Sequence, residues 1–298
     1  MKKFNQGLGV LPVVLVLALI GLITFAVLGG VGNKDGIGNS QSAAAVSADL
    51  STAGNFGILA STYTNTVAGT TVNGDVGFTT GPAVAPTVSG TTHTADGTYN
   101  TAGTDQGNAL SSLNAQTCDF NFSSATDLSL LPQPLTPGVY CITAAASIGT
   151  GGITLNGAGT YIFRINGALT SVANSNVTLS GGASACDVFW TPTSATTLGA
   201  NSSFIGTDID AAGITVGSTV TWEGRALAFG GTVTTNVDTI NTPSCSTPTP
   251  EPEIVTPEPE IPTPSVPEVI PDEIVPLAPT PVPVVTPPTL PKTGFSPK

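Results

Sequence analysis

Between residues 138 and 240, apolar and polar positions alternate in short runs, each ended by glycine, asparagine or serine. Units open at Gly138, Tyr161, Asp187, Thr207 and Arg225, so the steps are 23, 26, 20 and 18 residues. An alternating strand recurs within them at residues 169–172, 195–198, 214–216 and 233–235. The first four units also carry a second strand closing on glycine, at 153–157, 177–181, 202–206 and 220–224. Period-two alternation bounded by turn residues predicts short strands joined by tight turns. Repetition near 20 residues, with several strands per unit, predicts a mostly β chain coiled as a β-solenoid, each coil burying its apolar positions against the next. The unequal steps predict an irregular one, with loops let out between coils.

The same pattern opens the domain at Asp49 with LSTAGNFGILA and continues through VAGTTVNGDVGF and APTVSGTTHT. Residues 100–116 lose the alternation, and we expect one helix there, with Leu110 and Leu113 laying it along the solenoid although Gly103 and Gly107 weaken it. The proline-bearing stretch 118–137 reads as a loop. At the start of the chain, Lys2 and Lys3 precede an apolar run over residues 8–31, interrupted only by Pro12, Thr24 and glycines. As a helix these 24 residues would span about 36 Å, against a hydrocarbon core of about 30 Å. The paired lysines would stay cytoplasmic. The expectation is an uncleaved membrane anchor at 1–31 rather than a signal peptide cut after Val46-Ser47-Ala48. Residues 32–48 then form a flexible spacer, 49–245 one globular domain, and 246–298 a stalk.

Composition sharpens this picture. The chain of 298 residues has a net charge of −12 and only 9% charged residues. Between residues 47 and 245 its basic groups are Arg164, Arg225 and the lone His93. So sparse a cationic surface cannot neutralise phosphates, which excludes nucleic acid as a partner. Four cysteines in an exported domain point to disulfides. Three connectivities are possible, with buried free thiols as the alternative. We expect Cys118–Cys141 and Cys186–Cys245. No CxxC pair is present, so we expect no zinc, no other metal and no cofactor. The stalk holds 17 of the 25 prolines and should be extended and unable to form a core. It ends in Leu290, Pro291, Lys292, Thr293 and Gly294, which resembles the sorting signal read by cell-wall sortases. The hydrophobic span and basic tail usual after that glycine are missing here. The cell wall thereby joins the membrane as a candidate partner.

Catalysis needs titratable groups converging on a pocket. Asp208 and Asp210 would share one side of a strand, as paired carboxylates or a Ca²⁺ site, but with no further acids nearby we read them as solvated or turn-capping. Arg225 is expected to pair with a carboxylate. The positive signal is threonine. With Leu169, Ala195, Ile214 and Val233 inward, stacking aligns Thr170, Thr196, Thr215 and Thr234 in one outward column, with Ala168, Ser194, Gly213 and Thr232 beside it. Rungs would repeat about every 4.8 Å. A second strand set stacks Thr154, Thr178, Ser203 and Thr221, next to the uneven Asn156, Ser180, Ile205 and Glu223. Threonine also simply suits solvent-facing strands.

In order along the chain, LSTAGNFGILAST, VNGDVGF, LTPGVYCI, NVTLSGG, DVFW, TTLGANSSFIG and EGRALA resemble the bacterial and fungal ice-binding protein family. The resemblance spans about residues 49–243. It implies an irregular right-handed, three-sided β-helix with a helix packed along it and a capped end. It also implies a flat face that binds ice through ordered water, without catalysis. Carried onto this sequence, that face is the Thr170, Thr196, Thr215, Thr234 column. The expected function is ice binding by a protein displayed at the cell surface or secreted, not an enzyme. The alternative is an adhesin that uses the same solenoid to bind a polysaccharide or another cell.

Overall fold

The computed structural model describes residues 44–245. The expected anchor, the proline-rich stalk and the sorting-like pentapeptide lie outside them. Among the described residues, no helix is long and apolar enough to cross a membrane.

Every strand pairing is parallel, and the strands stack coil upon coil in three rows, as in a β-helix. One row begins at Phe120–Phe122 and passes through Gly138–Ile142 to the first halves of Tyr161–Ser171 and Val188–Leu198. It continues through Ser203–Ile209 and Thr221–Thr235 to Phe56–Asn65, then Asp75–Phe78 and Thr92–Thr94. A second row uses the far ends of the long strands together with Ala146–Ile148 and Ile214–Val216. The third row stacks Thr87–Val88, Thr71–Asn73, Thr239–Asn241, the start of Thr221–Thr235 and Ser203–Ile209. A separate pair, Ile153–Asn156 with Val177–Ser180, lies beyond it. Coil order is therefore not chain order: the first long strand, Phe56–Asn65, sits beside the last, Thr221–Thr235.

Side chains of alternate positions fill the bore. Phe120, Tyr140, Phe163, Trp190, Phe204 and Trp222 form a continuous aromatic file, with successive ring centroids 4.4, 5.0, 4.1, 5.1 and 5.1 Å apart. Opposite positions of the first row, Leu59, Val139, Ile162, Phe189, Ile209 and Leu227, point the other way and are covered by α1, Gly97–Asn114. That helix begins three residues earlier than the sequence indicates, because Asp96 caps it by accepting the Tyr99 N–H at 2.8 Å. It buries Tyr99, Ala102, Gly103, Gln106, Ala109 and Leu113, one stripe at helical spacing. Gly103, which weakens the helix in isolation, is required by packing, since any side chain there would enter the Phe229 ring. Leu113 is fully buried, while Leu110 packs only at the edge of the same cluster.

Two disulfides, Cys118–Cys141 and Cys186–Cys245, close loops of 23 and 59 residues. Chain-entropy arithmetic gives about 3 and about 4 kcal/mol for loops of these lengths. Reduction should therefore lower the melting temperature, and the Cys186→Ala/Cys245→Ala double variant should lose more than Cys118→Ala/Cys141→Ala. Equal melting curves with and without a reducing agent would contradict this. Residues just ahead of Asp49 also belong to the folded unit. Val46 exchanges two hydrogen bonds with the Gln116 amide, at 2.8 and 2.7 Å, and Ala45 and Ala48 pack against the helix-side core.

Candidate functional site

The second row carries the threonine ladder. Its pairings align Leu169, Thr196, Ile214 and Val233 on the inside, and Thr170, Thr197, Thr215 and Thr234 on the outside. Thr196 is thus not part of the outward column. It is fully buried, and Thr197 takes the place assigned to it. The cause is an extra residue: Ala168 pairs with Ser194 but Leu169 with Thr196, so the strand bulges at Ala195, which is exposed rather than inward. A one-residue slip moves a side chain to the opposite face.

Two rungs outside the recurring strands at 169–172, 195–198, 214–216 and 233–235 extend the column. Ser147 pairs with Thr170 at one end, and Thr64 with Thr234 at the other. The column then reads Thr64, Thr234, Thr215, Thr197, Thr170, Ser147 over six coils. Beside it, Thr62 pairs with Thr232 and with Thr80, and Ala168 with Ser194. Gly213, expected in this companion column, is buried at φ +119°, and a Cβ there would lie 2.9 Å from the Thr232 carbonyl. It leaves a recess rather than a knob. Spacing between rungs is that of parallel strands, about 4.8 Å. No hydroxyl of the six-residue column hydrogen-bonds to another protein group among the described residues. The surface is short-chained, uncharged from Thr64 to Ser147, and its donors and acceptors are left to solvent.

The third row is less regular. Thr154 pairs with Thr178 and their hydroxyls lie 3.0 Å apart; Ser203, Thr221, Thr239, Thr71 and Thr87 stack farther along. The two segments do not join in register, because Ser203 meets Asn176 instead of Thr178. The companion positions Asn156, Ser180, Ile205 and Glu223 mix amide, hydroxyl, alkyl and carboxylate. A cavity of about 360 Å³, lined by Ser203, Phe204, Ile205, Thr221, Glu223, Asn241, Thr242 and Pro243, interrupts the surface. This side is neither continuous nor flat.

The remaining candidates carry structure. Asp208 and Asp210 are both completely buried, against the solvated expectation, although Asp210 does cap a turn. Arg225 pairs with no carboxylate among the described residues; its guanidinium donates to Gly54 O at 2.8 Å, Pro243 O at 3.1 Å and Thr207 Oγ1 at 3.4 Å. Burial lowers its pKa to about 10. His93 lies between Asp96, at 2.8 Å, and Asp75, at 3.8 Å, next to the helix cap. Among the described residues, no group of three or more His, Cys, Asp or Glu could hold a metal ion.

Aspartates recur at the corners as ties between coils, which the sequence does not reveal. Asp75 accepts from Thr91 N, Asp119 from Val139 N, Asp127 from Gly149 N, Asp210 from Thr196 N and Asp238 from Val220 N. Burial pushes Asp238 up to about 6. Its folded form thus holds a proton more tightly than the unfolded chain, whose aspartates titrate near 3.9. That contribution is complete below the unfolded value and is lost as pH rises through about 6. Exposed Asp96, lowered by its bonds from Tyr99 N–H and His93, works in the opposite direction under acid conditions. The melting temperature should fall between about pH 4.5 and about pH 6.5, and Asp238→Asn should flatten that slope. A melting temperature that rises over this interval would contradict it.

A family model described as ice-binding-like matches residues 39–241. An ice-binding protein of Nostoc sp. (strain HG1) is 33% identical over 205 residues, covering 64% of this chain and 73% of that protein. One from Flavobacterium frigoris (strain PS1) is 32% identical over 218 residues, covering 65% and 76%. The crystal structure of an ice-binding protein from the Antarctic ascomycete Antarctomyces psychrotrophicus superposes with a TM-score of 0.61 at 29% identity, over 67% of this chain and all of that one.

Proposed function

The chain belongs to the ice-binding-like family, and from that premise we propose that it binds ice through the second-row ladder of Thr64, Thr234, Thr215, Thr197, Thr170 and Ser147. One observation carries the choice of face: six hydroxyls stacked in continuous register that no protein group among the described residues uses. Their methyl groups limit how water can lie, and the hydroxyls offer hydrogen bonds at a fixed repeat. Each contact is weak. The array acts because rigid strands present all of the rungs at once, so later contacts form at high effective concentration. The third row lacks this regularity, and its Glu223 prefers liquid hydration. Nothing among the relatives or in the fold favours the adhesin reading, and the function requires no catalytic group.

Two disulfides fit an oxidising, extracellular setting. Display through the apolar run at 8–31 remains part of the reading from sequence alone. The purified full chain should shape ice crystals, separate melting from freezing temperature and slow recrystallisation. Absence of all three effects at high micromolar concentration would overturn the proposal.

A further inference from the structure

The interior behind the ladder contains an unsolved electrostatic problem. Asp208 is inaccessible to solvent and sits in register between Trp190 and Ala226. Among the described residues, neither of its carboxyl oxygens has a hydrogen-bond partner, nor does the equally buried Thr196 hydroxyl. That hydroxyl lies close enough to Asp208 and Asp210 to favour their ionised forms, against the burial that raises both, but it does not reach hydrogen-bond geometry to either. Asp210 is also fully buried but is well bonded: Oδ2 accepts the Thr196 N–H at 2.8 Å and Oδ1 the Ala212 N–H at 2.8 Å. Its own carbonyl accepts from Gly213 N at 3.3 Å. Asp210 therefore holds the residue before Thr197 and the turn that leads into Thr215.

Two carboxylates in one closed interior need a counter-charge. Asp210 is the ionisable group whose charge acts on Asp208. The neighbouring strand Val188–Leu198 brings Trp190 and Thr196, and Ile214–Val216 brings apolar side chains. Thr221–Thr235 brings Ala226, while its Arg225 points away to Gly54, Pro243 and Thr207. A calcium ion takes about 6–8 oxygens, far more than the three that stand unpartnered here. A single proton closes the account. It removes one charge and supplies the donor that the cluster lacks, while the Thr196 hydroxyl supplies a second.

We propose that Asp208 and Asp210 hold one proton between them, and that this proton positions Thr197 and Thr215 on the ice-facing row. The inference rests on that row being the binding face. The pair titrates as a unit. Loss of the proton places a second negative charge in the core, and repulsion between the two carboxylates pulls on the turn that Asp210 ties to Thr196 and Ala212, so that the two rungs leave register. Ice activity then has an alkaline limit, because stability supplied by a bound proton disappears as pH rises through the folded titration.

Infrared spectra of the full chain should show the carbonyl stretch of a protonated carboxyl at neutral pH, absent from Asp208→Asn. Thermal hysteresis of the wild type should drop to below about half as pH is raised above neutral, within the range where Arg225, which titrates at about 10, stays charged, and with the same midpoint as the infrared band. Asp208→Asn keeps a neutral group with a donor, so its hysteresis should stay level across that range. The proposal is overturned if the band is absent, if Asp208→Asn declines in parallel, or if calcium and a chelator move the melting temperature of the wild type. Should Asp208→Asn fail to fold, wild-type midpoints that do not coincide would overturn it equally. Should no ice activity exist at any pH, the proposed function fails. The band still decides the proton, and exchange of the Thr196 and Ala212 amides decides the positioning.

Discussion

Thr215→Tyr is expected to remove most of the ice activity while leaving the protein folded. Thr215 is exposed between buried Ile214 and Val216, so a larger side chain projects into solvent and costs the fold no more than about 1 kcal/mol. It stands third of six in the ladder, flanked by Thr234 and Thr197. A tyrosine ring at that position holds both neighbours, one coil away at about 4.8 Å, off any flat surface. Multivalent contact fails when geometry forbids simultaneous engagement, so the loss should far exceed one sixth. We expect thermal hysteresis to fall by about tenfold, because the array loses its simultaneous engagement. Thr221→Tyr, on the third row, should leave hysteresis unchanged. Full activity in Thr215→Tyr together with its loss in Thr221→Tyr would move the site to the third row. Thr197→Tyr and Thr196→Tyr separate the two candidates at that rung. The first should abolish activity with an intact fold, and the second should damage the fold itself, because Thr196 is buried.

That last pair marks where sequence reading stops. Alternation made the coils, their stacking and most of the outward positions legible, and Thr170, Thr215 and Thr234 do align. The misplacement of Thr196 arose because Ser194, Ala195, Thr196 and Thr197 are all small, and either parity fits the pattern. Only the partner strands decide, by pairing Leu169 and Ile214 with Thr196. Thr64 was invisible for a different reason. Its strand is the first of the domain yet lies against the last, so no local repeat links it to Thr234. The buried aspartates show the same limit. A polar residue alternating with Ile209 reads as surface, and the corner that buries it closes through the Thr196 N–H from another coil as well as the local Ala212 N–H. Helix α1 was recognisable by its loss of alternation. Its start was not, because Asp96 acts through a cap rather than through periodicity.

Trp190→Ala should produce the largest loss of stability of any single change in the bore. Trp190 is fully buried, stacked 4.1 Å from Phe163 at 11° and packed 5.1 Å from Phe204, and its indole N–H donates to Ile205 O at 2.9 Å. Truncation removes the ring contacts, opens a cavity in the middle of the aromatic file and strands a carbonyl. Replacements of this kind cost about 3–5 kcal/mol. For a domain of this size each kcal/mol is worth about 2–4 °C, so the melting temperature should fall by about 6–20 °C. The file runs through coils that also carry Thr170 and Thr197, and the cavity should loosen those strands first. Ice activity near the freezing point should therefore decline less than in Thr215→Tyr, since the variant is still folded there and its rungs are all present. Phe163→Leu, which leaves the indole hydrogen bond in place, should cost clearly less than Trp190→Ala. A melting temperature within about 2 °C of the wild type, at most about one kcal/mol by the same conversion, would show that the file fills the bore without holding it together.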